Sequence, residues 1–236
     1  YRSMLTTRSA SRTDACIRAF LDRHLLPLSY SGVSRMFSNR RQVSFESIGT
    51  RKTAVFLTVS DTDRSNDRLV NLFYAQAFQQ LVAMADRCPG SRLPIPVRFI
   101  LDDFATNTVI PDFDNLISVI RSRELSVSLI IQSLSQLESL YGRTKSQTIV
   151  NNCDNWLYLG GLDLQTAQEM STRLNRTVQS VLNMSHDDAV VITRGQAPRK
   201  CGKFIPEDHP FWKVAQARLA VAGKTEERSI PYEKAV

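Results

Sequence analysis

Two adjacent carboxylates follow an apolar run near the middle of the chain. Phe99, Ile100 and Leu101 precede Asp102 and Asp103, and a short uncharged run of this kind predicts a buried β-strand. In sheets that bind nucleotides, acids at the carboxyl end of a strand hold Mg²⁺ through water and orient the attacking water. Asp102 is therefore a candidate metal ligand, and Asp103 a candidate for handling the water. On their own, the two acids also fit a plain solvated turn.

A second apolar run, residues 127–131, ends at Gln132. It predicts the neighbouring strand, so the Gln132 amide is expected beside the acid pair, where it can sense a γ-phosphate or the attacking water. Asp102 and Gln132 are thus the candidate nucleotide-binding residues. The alternative for Gln132 is a polar residue that opens the next helix.

Arg121 and Arg123 lie at the end of the helix predicted between the two runs. Cations at the carboxyl end of a helix complement its dipole, which is one interpretation. In a ring of subunits, the same guanidinium groups could instead stabilise the phosphates of a neighbouring active site. The sequence leaves both interpretations open.

The chain contains no phosphate-binding loop of the form G-x-x-x-x-G-K-[ST]. Its only Gly-Lys-Thr, at residues 223–225, has Arg218 where the first glycine of that loop should stand. We therefore expect the chain by itself to hold no ATP or Mg²⁺ and to be inactive as an ATPase.

Charge and composition narrow the function further. The net charge is +7, and the excess lies in the first 52 residues, which hold ten lysines and arginines against three acids. A basic segment on a neutral body predicts contact with a polyanion. On the helix predicted over residues 9–26, Arg12 and Arg23 are candidates for nucleic-acid phosphates, and so is Arg8, which is in line with them if the helix starts earlier. An ordinary solvated helix face is the alternative.

Several classes of protein are disfavoured by the same composition. The four cysteines are scattered without a C-x-x-C pair, and the three histidines have no cysteine or acidic cluster near them at the spacing of metal ligands. These patterns argue against a disulfide scaffold and a zinc site. No run approaches the ~18 apolar residues that a membrane-spanning helix needs, so a soluble chain is expected.

Strands alternate with helices along most of the chain, which predicts an α/β fold with a mostly parallel sheet and flanking helices. The predicted strands lie at residues 53–59, 97–101, 127–131 and 155–159, with a late β pair at 188–193 and 200–204. The predicted helices of this domain lie at about 64–87, 112–124, 133–150, 164–174 and 210–221. A short helical segment precedes it.

Three blocks in order, TAVFLTVSDTD, VRFILDDFATNTVIPDFDNLISVIRSRELSVSLIIQSLSQLESLYG and IVNNCDNWLYLGG, resemble the coupling-protein ATPases of type IV secretion and conjugation. The resemblance spans roughly residues 45–205 and is closest to the TraG/TraD type. It implies a RecA-like nucleotide-binding domain whose C-terminal portion is residues 46–222. Residues 1–45 would then end an inserted all-helical domain, and the phosphate-binding loop would lie upstream of residue 1. Residues 223–236 are polar and are expected to form a flexible tail.

The resemblance also implies an activity. The intact protein would be a Mg²⁺-dependent ATPase, a homo-oligomeric ring expected to be a hexamer, anchored at the cytoplasmic side of the bacterial inner membrane. It would recruit a relaxase bound to single-stranded DNA and drive the DNA into a type IV secretion channel. The chain alone would be monomeric.

Individual residues follow the family pattern with one departure. Asp102 and Asp103 match the magnesium-binding acid pair, Gln132 matches the sensor glutamine, and Arg121 matches an arginine acting in trans. The family usually has glutamate at the second acidic position. Because Asp103 is shorter by one methylene, less efficient hydrolysis is expected.

Two alternative functions stay open at this point. A non-catalytic module that docks DNA or a relaxase through residues 1–52 fits the local charge and the missing loop. Another RecA-like DNA pump, such as a chromosome-segregation translocase, fits the α/β pattern, although the block IPDFDNLISVIRSRE favours the coupling proteins.

Overall fold

The computed structural model describes residues 11–26, 30–38, 43–59, 66–104 and 109–226. The chain divides into two compact units, unit 1 at residues 1–153 and unit 2 at residues 154–236. Within the described ranges, no helix combines the length and the apolar character that crossing a membrane requires.

Unit 1 is mainly helical around a short parallel sheet. Its helices are α1 (Ser11–Leu25), α2 (Ser31–Ser38), α3 (Phe45–Thr50), α4 (Asp67–Arg87), α5 (Phe113–Val119), α6 (Leu134–Tyr141) and α7 (Arg143–Asn151). Its strands are β1 (Val97–Leu101) and β2 (Leu125–Leu129). The two strands pair in parallel, with Val97 opposite Leu125 and Leu101 opposite Leu129. Their carboxyl ends therefore meet at one edge of the sheet.

The core of unit 1 forms where α4 packs on one face of this sheet. The Phe78 ring of α4 stacks on the Phe99 ring of β1, with centroids 4.1 Å apart, and Leu81 is 1% exposed. The opposite face is open, since Ile100 is 68% exposed. Burial of apolar area on the α4 side therefore holds the strands in place.

Unit 2 is built on an antiparallel sheet. Its elements are β3 (Asn155–Tyr158), α8 (Leu164–Leu174), α9 (Val178–Leu182), β4 (Asp188–Thr193), β5 (Arg199–Gly202) and α10 (Trp212–Glu226). β4 lies between β3 and β5 and pairs with both in antiparallel orientation. Tyr158 and Val190 pack with Met170 and Val181 beneath the helices, and the Arg173 guanidinium lies 4.0 Å from the centre of the Trp156 ring.

The observed elements confirm the α/β class and correct several details. Residues 53–59 form no strand, and Phe56 is 92% exposed, because no described strand pairs with this β-branched segment. The strand predicted at 155–159 is observed as β3, but in the antiparallel sheet, so among the described strands only β1 and β2 are parallel. The helical turns predicted over 133–150 are observed as α6 and α7, which meet at Gly142, whose φ of 77° ends α6.

Tyr141 seals the core beneath the end of β1. Its ring stacks on Phe104 with centroids 5.6 Å apart, and its hydroxyl oxygen accepts a hydrogen bond from the Ile110 N–H at 3.0 Å. Burial raises the pKa of Tyr141 from 10.0 to about 12, against a lowering effect of the Ile110 hydrogen bond and with a smaller raising effect of Asp114. Because the unfolded chain ionises first, the stabilisation is complete below pH 10 and is lost as the pH rises toward about 12.

We therefore expect Tyr141→Phe to lower the free energy of unfolding by about 1–3 kcal/mol at pH 8, because the buried Ile110 N–H loses its acceptor. The variant should also lose less stability than the parent between pH 8 and pH 11. Urea titrations followed by circular dichroism measure both effects. Tyr30→Phe, at an exposed tyrosine, is the control, and an identical alkaline loss in the Tyr141→Phe variant and the parent would contradict the assignment.

Candidate functional site

The two acids predicted to do chemistry lie in the turn that follows β1. Asp103 has a φ of 51°, in the left-handed region that aspartate adopts more readily than most residues. The Asp102 Oδ1 atom accepts a hydrogen bond from the Asp103 N–H at 3.1 Å. Both side chains are exposed. The turn thus presents two adjacent carboxylates to solvent at the carboxyl edge of the parallel sheet.

Backbone hydrogen bonds and a buried ring hold this turn in place. The Ile130 N–H donates to the Leu101 carbonyl at 3.0 Å, and the Phe104 N–H donates to the Ile130 carbonyl at 2.9 Å. The Phe104 ring is 6% exposed and lies 4.9 Å from the Phe113 ring between centroids. A left-handed backbone costs free energy and persists only where surrounding contacts fix it. The two hydrogen bonds and the buried Phe104 ring fix it here.

Gln132 lies three residues beyond β2, next to the turn that carries Asp102 and Asp103, here called the acid turn. Its Nε2 atom donates a hydrogen bond to the Asp103 Oδ1 atom at 3.0 Å. The structure therefore brings the ends of two neighbouring strands together through Asp103 and Gln132, with Asp102 beside them. Their chemical roles stay predictions.

Gln136, which the sequence interpretation did not single out, extends this contact. Its Nε2 atom donates to the Gln132 Oε1 atom at 3.2 Å, so both ends of the Gln132 amide have partners. Ser133 fixes the start of α6 by accepting the Gln136 backbone N–H at 3.2 Å. The i, i+4 spacing of Gln132 and Gln136 was the available signal. The Gln136 Oε1 atom is buried and has no hydrogen-bond partner among the described residues.

Arg121 is not brought to this group. It is exposed in the 3₁₀ turn Ile120–Arg123, just before β2, at the end of the strand opposite to Gln132. A strand of this length spans about 16 Å, so Arg121 and the acid pair lie at opposite edges of the sheet. Arg123 has a structural contact instead, because its Nε atom pairs with Asp86 of α4 at 2.9 Å.

The basic residues near the start of the chain form a separate feature. Arg12 and Arg23 are exposed on α1. Arg18, between them, pairs with Asp14 at 2.8 Å. Arg8 lies outside the described residues, so its predicted contact with nucleic acid stays a prediction from the sequence.

The side chains at this site suit Mg²⁺ better than a metal ion that needs three or more protein ligands. Across the described part of the chain, no group of three or more histidine, cysteine, aspartate or glutamate side chains could hold a metal ion. Mg²⁺ in phosphoryl-transfer sites is bound through only one or two carboxylates, together with waters and the phosphates of the substrate. The exposed, adjacent carboxylates of Asp102 and Asp103 match that mode.

One family model matches the part of the chain that holds this site. Residues 96–191 match the model described as the TraM recognition site of TraD and TraG. A search of curated protein sequences found no match.

Solved structures of coupling proteins resemble the chain over most of its length. The bacterial conjugative coupling protein TrwBdeltaN70 in its unbound monoclinic form is 18% identical with a TM-score of 0.52, covering 60% of this chain and 38% of that chain. Its trigonal form with sulphate is 18% identical with a TM-score of 0.52, covering 62% and 39%. The plasmid coupling protein TrwB in complex with ADP and Mg²⁺ is 18% identical with a TM-score of 0.48, covering 61% and 40%.

The similarity to the two TrwBdeltaN70 structures shows the fold of this chain, and the predicted RecA-like α/β fold is confirmed. The chain spans 38–39% of the length of these two structures.

Proposed function

Because residues 96–191 of this chain belong to the TraG/TraD type of conjugation coupling protein, we propose that the chain supplies the metal- and water-handling half of an ATP-hydrolysing site. The observation that carries the proposal is the 3.0 Å hydrogen bond between Gln132 and Asp103, which joins the ends of two parallel strands. The proposal requires a phosphate-binding loop from outside these 236 residues.

Each side chain has a distinct part in this proposal. Asp102 would hold Mg²⁺ through water, and the bound ion would neutralise charge on the nucleotide phosphates. Asp103 Oδ1 would orient the attacking water and take its proton. The Gln132 Nε2 atom, which now donates to Asp103, would turn toward the γ-phosphate or the water when a nucleotide enters. The contact between Asp103 and Gln132 is then the resting state of the site.

Arg121 fits this scheme only between subunits. Its place at the far edge of the sheet keeps it from the acid pair of its own chain. It is exposed, so a neighbouring copy in a ring could receive it as an arginine finger. This supports the proposal of a homo-oligomeric ring.

At the level of the whole protein, we propose ATP-driven transfer of single-stranded DNA. The protein would receive a relaxase bound to DNA and pass the DNA to a type IV secretion channel at the cytoplasmic side of the inner membrane. The match to a recognition domain of coupling proteins supports contact with such a substrate complex.

The test is Mg²⁺-dependent ATP hydrolysis, with and without single-stranded DNA, by a protein that joins this chain to a phosphate-binding loop. Asp102→Ala and Gln132→Ala should each remove most of the turnover, because both side chains act where charge develops. Unchanged turnover in both variants would overturn the proposal.

Gln136→Ala should lower kcat by about threefold to tenfold, because a lost neutral hydrogen bond of this size frees the Gln132 amide to rotate. KM should change little, since Gln136 acts through Gln132 and does not touch the nucleotide. In a Gln132→Ala background the same change should have no further effect. Gln147→Ala, at an exposed glutamine on α7, is the matched control, and an equal loss in both backgrounds would contradict a positioning role.

A second candidate function is supported by the exposed arginines of α1. If Arg12 and Arg23 contact DNA phosphates, the double change to alanine should reduce the slope of log affinity against log salt by about 1.4 for single-stranded DNA. Fluorescence anisotropy with a labelled oligonucleotide at several salt concentrations measures the slope. Arg98→Ala with Arg199→Ala, at exposed positions elsewhere, is the charge-matched control. An equal change of slope in the control pair, or none in the α1 pair, would remove this candidate.

A further inference from the structure

A cavity of about 420 Å³ opens in unit 2. The hairpin side is lined at alternate positions, by Asp188 and Val190 of β4, by Pro198 just before β5 and by Lys200 of β5. Because alternate residues of a strand share a face, the cavity lies on one face of the sheet. This is the face that carries Val190 into the core with α8 and α9. The cavity is within the range of 300–1,000 Å³ that ligand sites occupy.

The floor of the cavity is aliphatic. Leu174, Val181 and Met184 contribute to it from the helix side, and Val190 from the sheet. Val181 is 3% exposed and Val190 is 6% exposed, so the floor is continuous with the core. No aromatic ring lines the cavity, which argues against a nucleobase, since bases bind proteins largely by stacking. An aliphatic side chain fits the floor better.

The rim of the cavity carries one uncompensated positive charge. Lys200 Nζ pairs with Asp188 Oδ2 at 2.6 Å, so these two charges balance. Arg176 also lines the cavity and is exposed, and its side chain makes no hydrogen bond or ion pair with the described residues. Ser180 and Asn183 add neutral hydrogen-bonding groups. A carboxylate suits this rim, because a guanidinium binds it with two hydrogen bonds, whereas Asp188 would repel the higher charge of a phosphate.

We infer that this cavity is a docking pocket for an acidic segment of a partner protein. One carboxylate of the segment pairs with Arg176, and the neighbouring aliphatic side chain occupies the floor. Among the described strands β5 lies at an edge of its sheet, so an extended segment can run beside it and bond to its backbone. The pocket is made of unit 2 residues alone and does not depend on ATP hydrolysis.

Binding of fluorescein-labelled hexapeptides to the 236-residue chain tests the inference by fluorescence anisotropy. One peptide ends in leucine followed by aspartate, and its partner ends in leucine followed by asparagine, both with an amidated carboxyl end. We expect the aspartate peptide to bind about tenfold more tightly, as one charge-assisted hydrogen-bonded pair provides. NMR shifts should map to residues 174–200.

Two changes separate the pocket from general charge attraction. Arg176→Ala should weaken binding of the aspartate peptide by about tenfold and leave binding of the asparagine peptide unchanged. Arg199→Ala, next to the pocket but not lining it, should change neither affinity. Ser180→Trp should block both peptides by filling the cavity while the charge is kept. Equal affinities of the two peptides, equal effects of Arg176→Ala and Arg199→Ala, or displacement of the peptide by a single-stranded oligonucleotide at equal concentration would overturn the inference.

Discussion

Replacing Asp102 with alanine is expected to lower Mg²⁺-dependent ATP hydrolysis by about 100-fold to 1,000-fold, the range seen when one group that stabilises transition-state charge is removed. Asp102 has the exposed carboxylate that follows β1 directly, and its Oδ1 atom is already oriented by the Asp103 N–H. Without the Asp102 carboxylate, Asp103 would be the one carboxylate left at the end of β1 to hold Mg²⁺. The larger part of the effect should fall on kcat, because the ion acts most strongly on the transferring phosphoryl group.

The measurement is steady-state ATPase activity over a range of Mg²⁺ concentrations, in the protein that contains a phosphate-binding loop. Excess Mg²⁺ should restore part of the activity of the variant. Asp112→Ala is the control, because Asp112 is another exposed aspartate in a turn and does not directly follow a strand. A loss as large in the control would show that the effect comes from the turn structure and not from the metal.

Replacing Phe104 with alanine is expected to lower the free energy of unfolding by about 3–5 kcal/mol, the usual cost of truncating a buried phenylalanine. The ring is 6% exposed and lies against both Phe113 and Tyr141. It is the anchor directly behind the acid turn. The variant should therefore also loosen Asp103 from Gln132, so the damage reaches the site as well as the core.

Hydrogen exchange read by mass spectrometry suits this prediction, because both tryptophans, Trp156 and Trp212, lie in unit 2 and report poorly on unit 1. Protection should fall in β1, β2 and the turn between residues 101 and 104, and should stay constant in unit 2. Phe56→Ala, at a phenylalanine that is 92% exposed, should change stability by less than about 0.5 kcal/mol. Equal effects of the two substitutions would refute the anchoring role of Phe104.

The part of the fold that carries the acids and the amide could be predicted from the sequence. β1 forms at the predicted limits, and β2 begins and ends two residues earlier than predicted, since both segments are short, rich in apolar residues and bounded by turns. Parallel pairing then places Asp103 and Gln132 at one edge, because the carboxyl ends of parallel strands coincide. Arg121, which precedes β2, lies at the other edge of the sheet, and its role in trans stays a prediction from the family resemblance.

What the sequence could not supply was the choice of pairing partners. Residues 53–59 have the composition of a strand, but strand structure needs a neighbour, and none of the described strands provides it. Residues 155–158 form a strand as predicted, yet pattern alone does not reveal that β4 is its partner. The hydrogen bond from Gln136 to Gln132 and the cavity beside Arg176 depend on side-chain positions that periodicity does not encode.

The claim at the centre of this account is that Asp103 and Gln132 act on ATP as one unit. A double-mutant cycle of kcat, with Asp103→Asn, Gln132→Ala and their combination in the protein that contains a phosphate-binding loop, tests it most directly. We predict that the double variant is hardly slower than the slower single variant, with a coupling energy of about 1–3 kcal/mol. Losses that simply multiply, or single variants with full activity, would contradict the account.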